Sequence, residues 1–433
     1  MNNTLSRIVA FNKTRLPKMV AIKYRLMEQN LFRFYRGTCH MFYEDLAGDS
    51  NFLNAPPVWI SGDLHLENFG SFTGDNEQVY FDLNDFDEAI LAPATWELLR
   101  ALISIYVGFK SLNIEDEKAG KMAHLFLQSY KNTLLKGKPD YVEASTAKGI
   151  ICEFLTKVNR RKQRRILIKR TTLKKKRVQM HTANPKHFKI RNHLKQKLIN
   201  HINEWLKTDE KSPYNYSVVD VVFRLAGTGS VGLERYAFLL KSSNDIGHKY
   251  ILLDMKEAAP SSLSSYTPIK QPTWESEAER VIAIQQKMQN RCPALLSVCQ
   301  FNGKSFIMQE MQPAKDNLNF GLLLRYKDMC SVIDTMGMLT ASSQLRSSGQ
   351  SGSAITDELI DFAKKGDWED SLLYYARQYA QQVEKYYQEF LNELPALQKQ
   401  EALHKKKNRT EDTSPLRDDI ETIEKHAQEL LDK

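Results

Sequence analysis

At 433 residues the chain can build two substructures around ample core, and 42% hydrophobic with 10% aromatic residues is a globular balance. Its charge of +9 sits in one place: 12 of the 61 basic residues fall between Lys157 and Arg177 with no acid among them, and the other 49 meet 52 acidic residues, a net of −3. Cys39, Cys152, Cys292, Cys299 and Cys330 are scattered without CxxC or His-paired metal spacing and read as reduced core residues, and no apolar run approaches the roughly 18–20 residues of a helix that crosses a bilayer.

Met1–Arg7 lacks the apolar core of a signal peptide, so the expected setting is cytoplasmic with reduced thiols, leaderless export staying open. Residues 14–50 read as helical, with Phe32, Phe34, Tyr35, Phe42 and Tyr43 as core. Residues 58–90 read as short strands and turns and carry the two acidic motifs discussed below. Over 95–135, Trp96, Leu98, Leu99, Leu102, Ile103 and Val107 recur at helical spacing. The basic stretch follows. It reads as a solvated connector, or as a surface for nucleic acid, an anionic membrane or a phosphorylated substrate; Ile166, Leu167 and Ile168 suggest ordered backbone within it, and interleaved aromatics are missing. After a helix-like stretch from Leu194 to Leu206, a sheet region begins near 214.

That region opens with the apolar run Val218–Leu225, continues into Gly227-Thr228-Gly229-Ser230-Val231-Gly232, and resumes as Tyr236–Leu240. The glycines therefore join two strands. A dinucleotide-binding fingerprint needs a helix there, whereas a hairpin folded over phosphates needs only glycine's tolerance of positive φ and close approach. A third strand, Lys249–Lys256, ends in a lysine. Glu275–Ile282 reads as a helix able to supply a glutamate to that lysine, from Glu277 or Glu279, with Glu257 a further candidate. Leu295–Phe301 and Ser305–Gln309 make a hairpin about Asn302-Gly303, and Glu310-Met311-Gln312-Pro313 reads as a hinge against a nucleobase. Residues 320–395 are helical; 405–415 read as a linker before a short charged terminal helix.

The acidic motifs give these pieces a common chemistry. In Ser61-Gly62-Asp63-Leu64-His65-Leu66-Glu67-Asn68, Asp63 and Asn68 have the spacing of a catalytic base and a metal-binding amide, and Asp82-Leu83-Asn84-Asp85-Phe86-Asp87 adds carboxylates close behind. Phosphoryl transfer needs this set: a carboxylate for the attacking hydroxyl, and an amide and a second carboxylate for magnesium on the nucleotide phosphates. The order is inverted relative to ordinary kinases, with the glycine hairpin about 150 residues after the catalytic loop.

With these motifs, and with Phe32-Arg33-Phe34-Tyr35-Arg36-Gly37 and Lys256-Glu257-Ala258, the chain resembles a bacterial family, domain of unknown function 2252, itself similar to the aminoglycoside and choline kinases, over roughly 15–395. The resemblance implies ATP and Mg²⁺ as cofactors, Asp63 as catalytic aspartate, Asn68 and Asp85 as magnesium ligands with Asp87 or Asp82 as a further carboxylate, and Lys256 on the phosphates. Gly227, Thr228, Gly229, Ser230 and Gly232 would cover those phosphates, with Glu310 and Met311 beside the base. Glu97-Leu98 stands where the related kinases carry Asp-Leu, and Ala92 stands before Pro93 where glycine is expected. His65 is expected in a structural role or as a phosphate contact, and Glu67 and Glu88 as solvated or salt-bridged. The expected fold is α+β and kinase-like in two lobes, circularly permuted: a helical lobe from 1–156 and 318–397, a basic connector and helix at 157–213, a nucleotide-binding sheet lobe at 214–317, and a charged linker and terminal helix at 398–433. The acceptor is a small-molecule or protein hydroxyl, anionic in one reading. Transfer of AMP, and a non-catalytic protein that binds nucleic acid or lipid through 157–177, are the other readings.

Overall fold

The structure is a computed structural model and describes residues 3–175, 177–210, 212–213, 215–244, 248–407, 415–416, 425 and 428–430. The fold is α+β. The chain opens with four short helices, α1 (Thr4–Asn12), α2 (Pro17–Glu28), α3 (Leu31–Gly37) and α4 (Cys39–Leu46). Their starts are written in sequence: Asn3 accepts from Ser6 N, Pro17 fills the first turn of α2, and Asn30 accepts from Arg33 N. Four strands follow, β1 (Pro57–Ile60), β2 (Phe69–Thr73), β3 (Val79–Leu83) and β4 (Ile90–Pro93), with β1 paired to β4 and β2 to β3, both antiparallel. Next come α5 (Ala94–Ser111) and α6 (Asp116–Lys136). Almost all of α5 is buried, its apolar stripe packing into the largest hydrophobic cluster, and Glu97 and Arg100 are buried with it. Two charges inside an apolar helix must find partners, and the site depends on the ones they find.

The basic stretch folds. Helix α7 (Gly149–Asn159), helix α8 (Gln163–Arg170) and the hairpin β5 (Thr171–Lys174)–β6 (Arg177–Met180) lead through β7 (His187–Phe188) to α9 (Asn192–Thr208). A six-stranded antiparallel sheet then forms from β8 (Tyr216–Arg224), β9 (Arg235–Ser242), β10 (Tyr250–Glu257), β11 (Ser297–Phe301) and β12 (Lys304–Glu310), in the order β11-β12-β10-β9-β8-β7. Between β10 and β11 lies α10 (Glu277–Met288). Asn302 and Gly303, both at positive φ, close the β11–β12 turn as its Asn-Gly pair predicts.

Strand alternation divides this sheet by function. Val221, Phe223, Tyr236, Phe238, Leu253 and Met255 point to one face, covered by α9 and α2. Val222, Ala237, Leu239 and Leu252 point to the other and pack with Met180, Ile166, Leu167 and Met311. The same face carries Arg224, Arg235, Asp254 and Lys256 farther along. The solvated connector is thus corrected: Ile166 and Leu167 give α8 an apolar side that docks on the sheet, while Ile168 is 66% exposed. Lys176 lies outside the described residues.

A short strand, β13 (Asp316–Asn317), returns the chain to β2, and α11 (Tyr326–Arg346), α12 (Thr356–Lys365) and α13 (Trp368–Lys407) close against α5 and α6. Helix α13 runs about ten residues past the expected end near 397 and takes in Lys405–Lys407 of the expected linker; residues 408–414, and most of the expected terminal helix, lie outside the described residues. Among the described residues no helix is long and apolar enough to cross a membrane.

Candidate functional site

The loop after β1 is held from below. Ser61 donates its N and Oγ to Glu97 Oε1 at 2.6 and 2.7 Å, and Gln344 donates to the other oxygen at 3.1 Å, so Glu97 props the backbone just before Asp63. Gly62 has φ +83°, and a Cβ there would lie 2.3 Å from Glu88 O. Only glycine fits this bend.

Asp63 leaves the bend between two groups that fix it. Arg100 donates to Oδ1 from Nε at 2.9 Å and Nη2 at 2.7 Å; its guanidinium also donates to Tyr35 O and lies 3.5 Å from the Tyr35 ring centroid. Asn68 donates Nδ2 to Asp63 O at 2.6 Å, leaving its amide oxygen as its remaining acceptor. Oδ2 of Asp63 is therefore the oxygen free of Arg100. Burial pushes the Asp63 pKa up, and Arg100 and Arg36 offset only part of that. His65 is buried, its ring nitrogens 3.1 Å from Glu67 N and 3.0 Å from Arg36 Nε. Burial, with Arg36 and Arg100, holds its pKa well below the usual histidine value, so the ring is a neutral brace for the turn. Arg36 also pairs with Glu67, and Glu88 accepts from Ser262 N and Oγ.

Lys256, on β10, reaches the acidic segment: its Nζ lies 3.5 Å from Asp85 Oδ1 and pairs with Asp87 Oδ2. Burial raises Asp85, but Lys256 and Lys315 more than offset it and leave the carboxyl below its ordinary value; burial and the adjacent Asp85 push Asp87 up. Arg280 fixes the same segment through Asp87 O at 2.9 Å. The glutamate expected to pair with Lys256 is not found. Glu277 pairs with Arg280, Glu279 accepts from Glu275 N just before the Ser276 cap of α10, and Glu257 accepts from Glu234 N and pairs with Lys304 at 3.0 Å. From α10 it is Val281 and Gln285 that line the cavity with Lys256. Asp82, on β3, faces Arg346 at 3.6 Å.

The glycine turn closes the third side. Gly227 and Gly232 take φ of +75° and +103°. Arg15 donates to Gly229 O and Val231 O, Leu16 N donates to Gly232 O at 2.9 Å, and buried Lys23 reaches Gly229 O at 3.3 Å. So the start of the chain clamps the turn onto the acidic loops. A Cβ at Gly229 would lie 3.8 Å from Asp63 Oδ2 and 3.3 Å from Arg36 O. A cavity of about 190 Å³ holds Asp63, Asn68, Asp85, Asp87, Gly227, Thr228, Gly229 and Ser230 together, and a neighbouring space of about 240 Å³ adds Lys256, Arg235 and Lys315. Glu310 and Met311 border a third cavity, which shares Arg224, Arg235, Gln309 and Lys315 with the Lys256 space. The Met311 side chain is buried and its N–H is committed to Leu252 O at 2.8 Å, so this amide is not offered to a ligand.

Among the described residues no three His, Cys, Asp or Glu side chains converge as a metal cage. The oxygens of Asn68, Asp85 and Asp87 suit a hard cation that takes the rest of its shell from a ligand and water, the manner of Mg²⁺. The residues that sequence reading missed are the braces: Arg100, Arg15, Lys23 and Arg280. Arg100 carried a signal, for it falls on the Trp96–Ile103–Val107 stripe, where a lone cation must pair with a buried anion. A family model described as "Uncharacterized protein conserved in bacteria (DUF2252)" matches residues 15–393. No curated protein and no solved structure matches the chain.

Proposed function

The chain belongs to that bacterial family, and from the geometry of its cleft we propose that it is an Mg-ATP-dependent phosphotransferase with a circularly permuted, two-lobed kinase-like fold. One observation carries the reading. Lys256 and the glycine turn, from the sheet, meet Asp63, Asn68, Asp85 and Asp87, from the helical part, at adjoining cavities, with Lys256 Nζ 3.5 Å from Asp85. Chain order does not weigh against it, since a site is defined by geometry.

In this reading the acceptor hydroxyl lies at Asp63 Oδ2, the oxygen that Arg100 leaves free, and passes its proton there. The acceptor oxygen bonds to the γ-phosphorus, the bond from that phosphorus to the β–γ bridging oxygen breaks, and ADP leaves with the electron pair. Lys256 leaves the aspartates for the phosphates, and the glycine turn covers them with backbone N–H groups. Asn68, Asp85 and Asp87 would hold Mg²⁺, which supplies charge neutralisation on the phosphate oxygens. A side chain at Gly229 would crowd Arg36 O and take up space beside Asp63 Oδ2 where the acceptor is placed in this reading. The test is Mg-ATP thermal shift and ATP turnover with Asp63→Ala, Asp85→Ala and Lys256→Ala. Asp63→Ala should still be stabilised by Mg-ATP yet turn over poorly, and the other two should lose the shift. Wild-type behaviour in all three would overturn the assignment.

A further inference from the structure

The third cavity, about 490 Å³, lies between α8 and the charged end of the sheet, beside Glu310 and Met311. At its floor the sheet residues Val222, Ala237, Leu239 and Leu252 are covered by Ile166, Leu167 and Met180. What lines it instead is charge. Arg161, Arg165, Lys169, Arg170, Arg224 and Lys315 converge on it, together with Arg235. Against them stand Asp254, Glu310 and Asp316, and two of these are spoken for: Asp254 by Arg224 and Arg235, and Asp316 by Arg161 at 2.6 Å. Arg161 and Arg224 each keep a buried Nε without a hydrogen-bond partner, and Lys315 has no carboxylate within ion-pair distance among the described residues.

We propose that this cavity binds a compact, multiply phosphorylated small molecule, at a site that adjoins the Lys256 cleft and shares Arg224, Arg235 and Lys315 with it. Buried guanidinium groups with spare donors suit phosphate oxygens, which accept forked hydrogen bonds. Concavity favours a small anion over a nucleic acid, whose backbone needs an extended basic track. The inference does not depend on phosphoryl transfer at Asp63.

Tripolyphosphate, titrated calorimetrically into the full chain at fixed ionic strength, tests it. Arg165 and Lys169 are exposed at the cavity rim, so Arg165→Glu/Lys169→Glu should fold normally while weakening binding by more than about tenfold. Lys256→Met should leave this binding unchanged while removing the Mg-ATP shift, which separates failure here from failure of the catalytic reading. Competition by ATP would trace the anion to a nucleotide's own phosphates, and its absence to a second ligand; both results support the site. No tripolyphosphate binding, binding lost only in Lys256→Met, or binding of single-stranded RNA alone in a manner steep in salt would overturn it.

Discussion

Arg100 sets both the direction and the protonation of Asp63. Its two N–H groups take Oδ1 and leave Oδ2 to the cavity, while its charge opposes the burial that pushes the carboxyl up. If Asp63 is the base of the proposed reaction, Asp63→Asn should lower turnover about 10²–10⁴-fold, the usual cost of losing such a base, with the Mg-ATP shift retained. The pH dependence follows in sign. A base works only when deprotonated, so activity falls as pH drops through its folded-state pKa. With Arg100→Gln burial acts unopposed by that cation, and the acid limb of kcat against pH should move to higher pH; in Arg100→Lys, which keeps the charge, it should stay near the wild-type position. An unmoved limb in Arg100→Gln would sever the link. The motif spacing made Asp63 and Asn68 legible. The residue that tunes Asp63 lies 37 positions on in a helix and was legible only as a cation out of place.

At the scale of elements, strand patterns and turn glycines translated directly: the glycine run became the β8–β9 connection, Asn302-Gly303 a tight turn, and Lys256 the end of β10. Pairings across elements did not translate, because a helix brings several acids to a strand with equal plausibility; Glu277 and Glu279 were consumed within α10's own first turn. Gly62 is the position where local backbone decides most. Alanine there meets a left-handed φ, at about 1–2 kcal/mol, and Glu88 O at 2.3 Å besides. Gly62→Ala should lower the urea midpoint and cut turnover more than the stability loss explains, since the shifted bend carries Asp63. Asp254 is a second test of the sheet. It is 2% exposed between Arg224 and Arg235, so Asp254→Ala leaves two buried guanidiniums uncompensated and should cost about 3–5 kcal/mol in denaturant unfolding.

Across the whole molecule the sheet and the helical part are joined at polar contacts, Lys256 with Asp85 and Asp87, and Arg15 and Lys23 with the glycine turn. The acidic motifs and the glycine run are legible separately, but their meeting depends on how 94–214 fold between them, a span whose helices carry no motif. The Lys256 contact can be weighed by a double-variant cycle. Lys256→Met removes the cation that pairs with both carboxylates and leaves only Lys315 and Arg235 to oppose their repulsion; because Asp85 is 46% and Asp87 27% exposed, solvent screens them as well and the cost should be only about 1–2 kcal/mol. Adding Asp87→Asn removes one of the repelling charges and should recover most of that stability. In the proposed reaction turnover should not return, because the lysine assigned to the phosphates is still missing. Recovery of both would make Lys256 a structural counter-ion; recovery of neither would mean that the two residues do not act on each other.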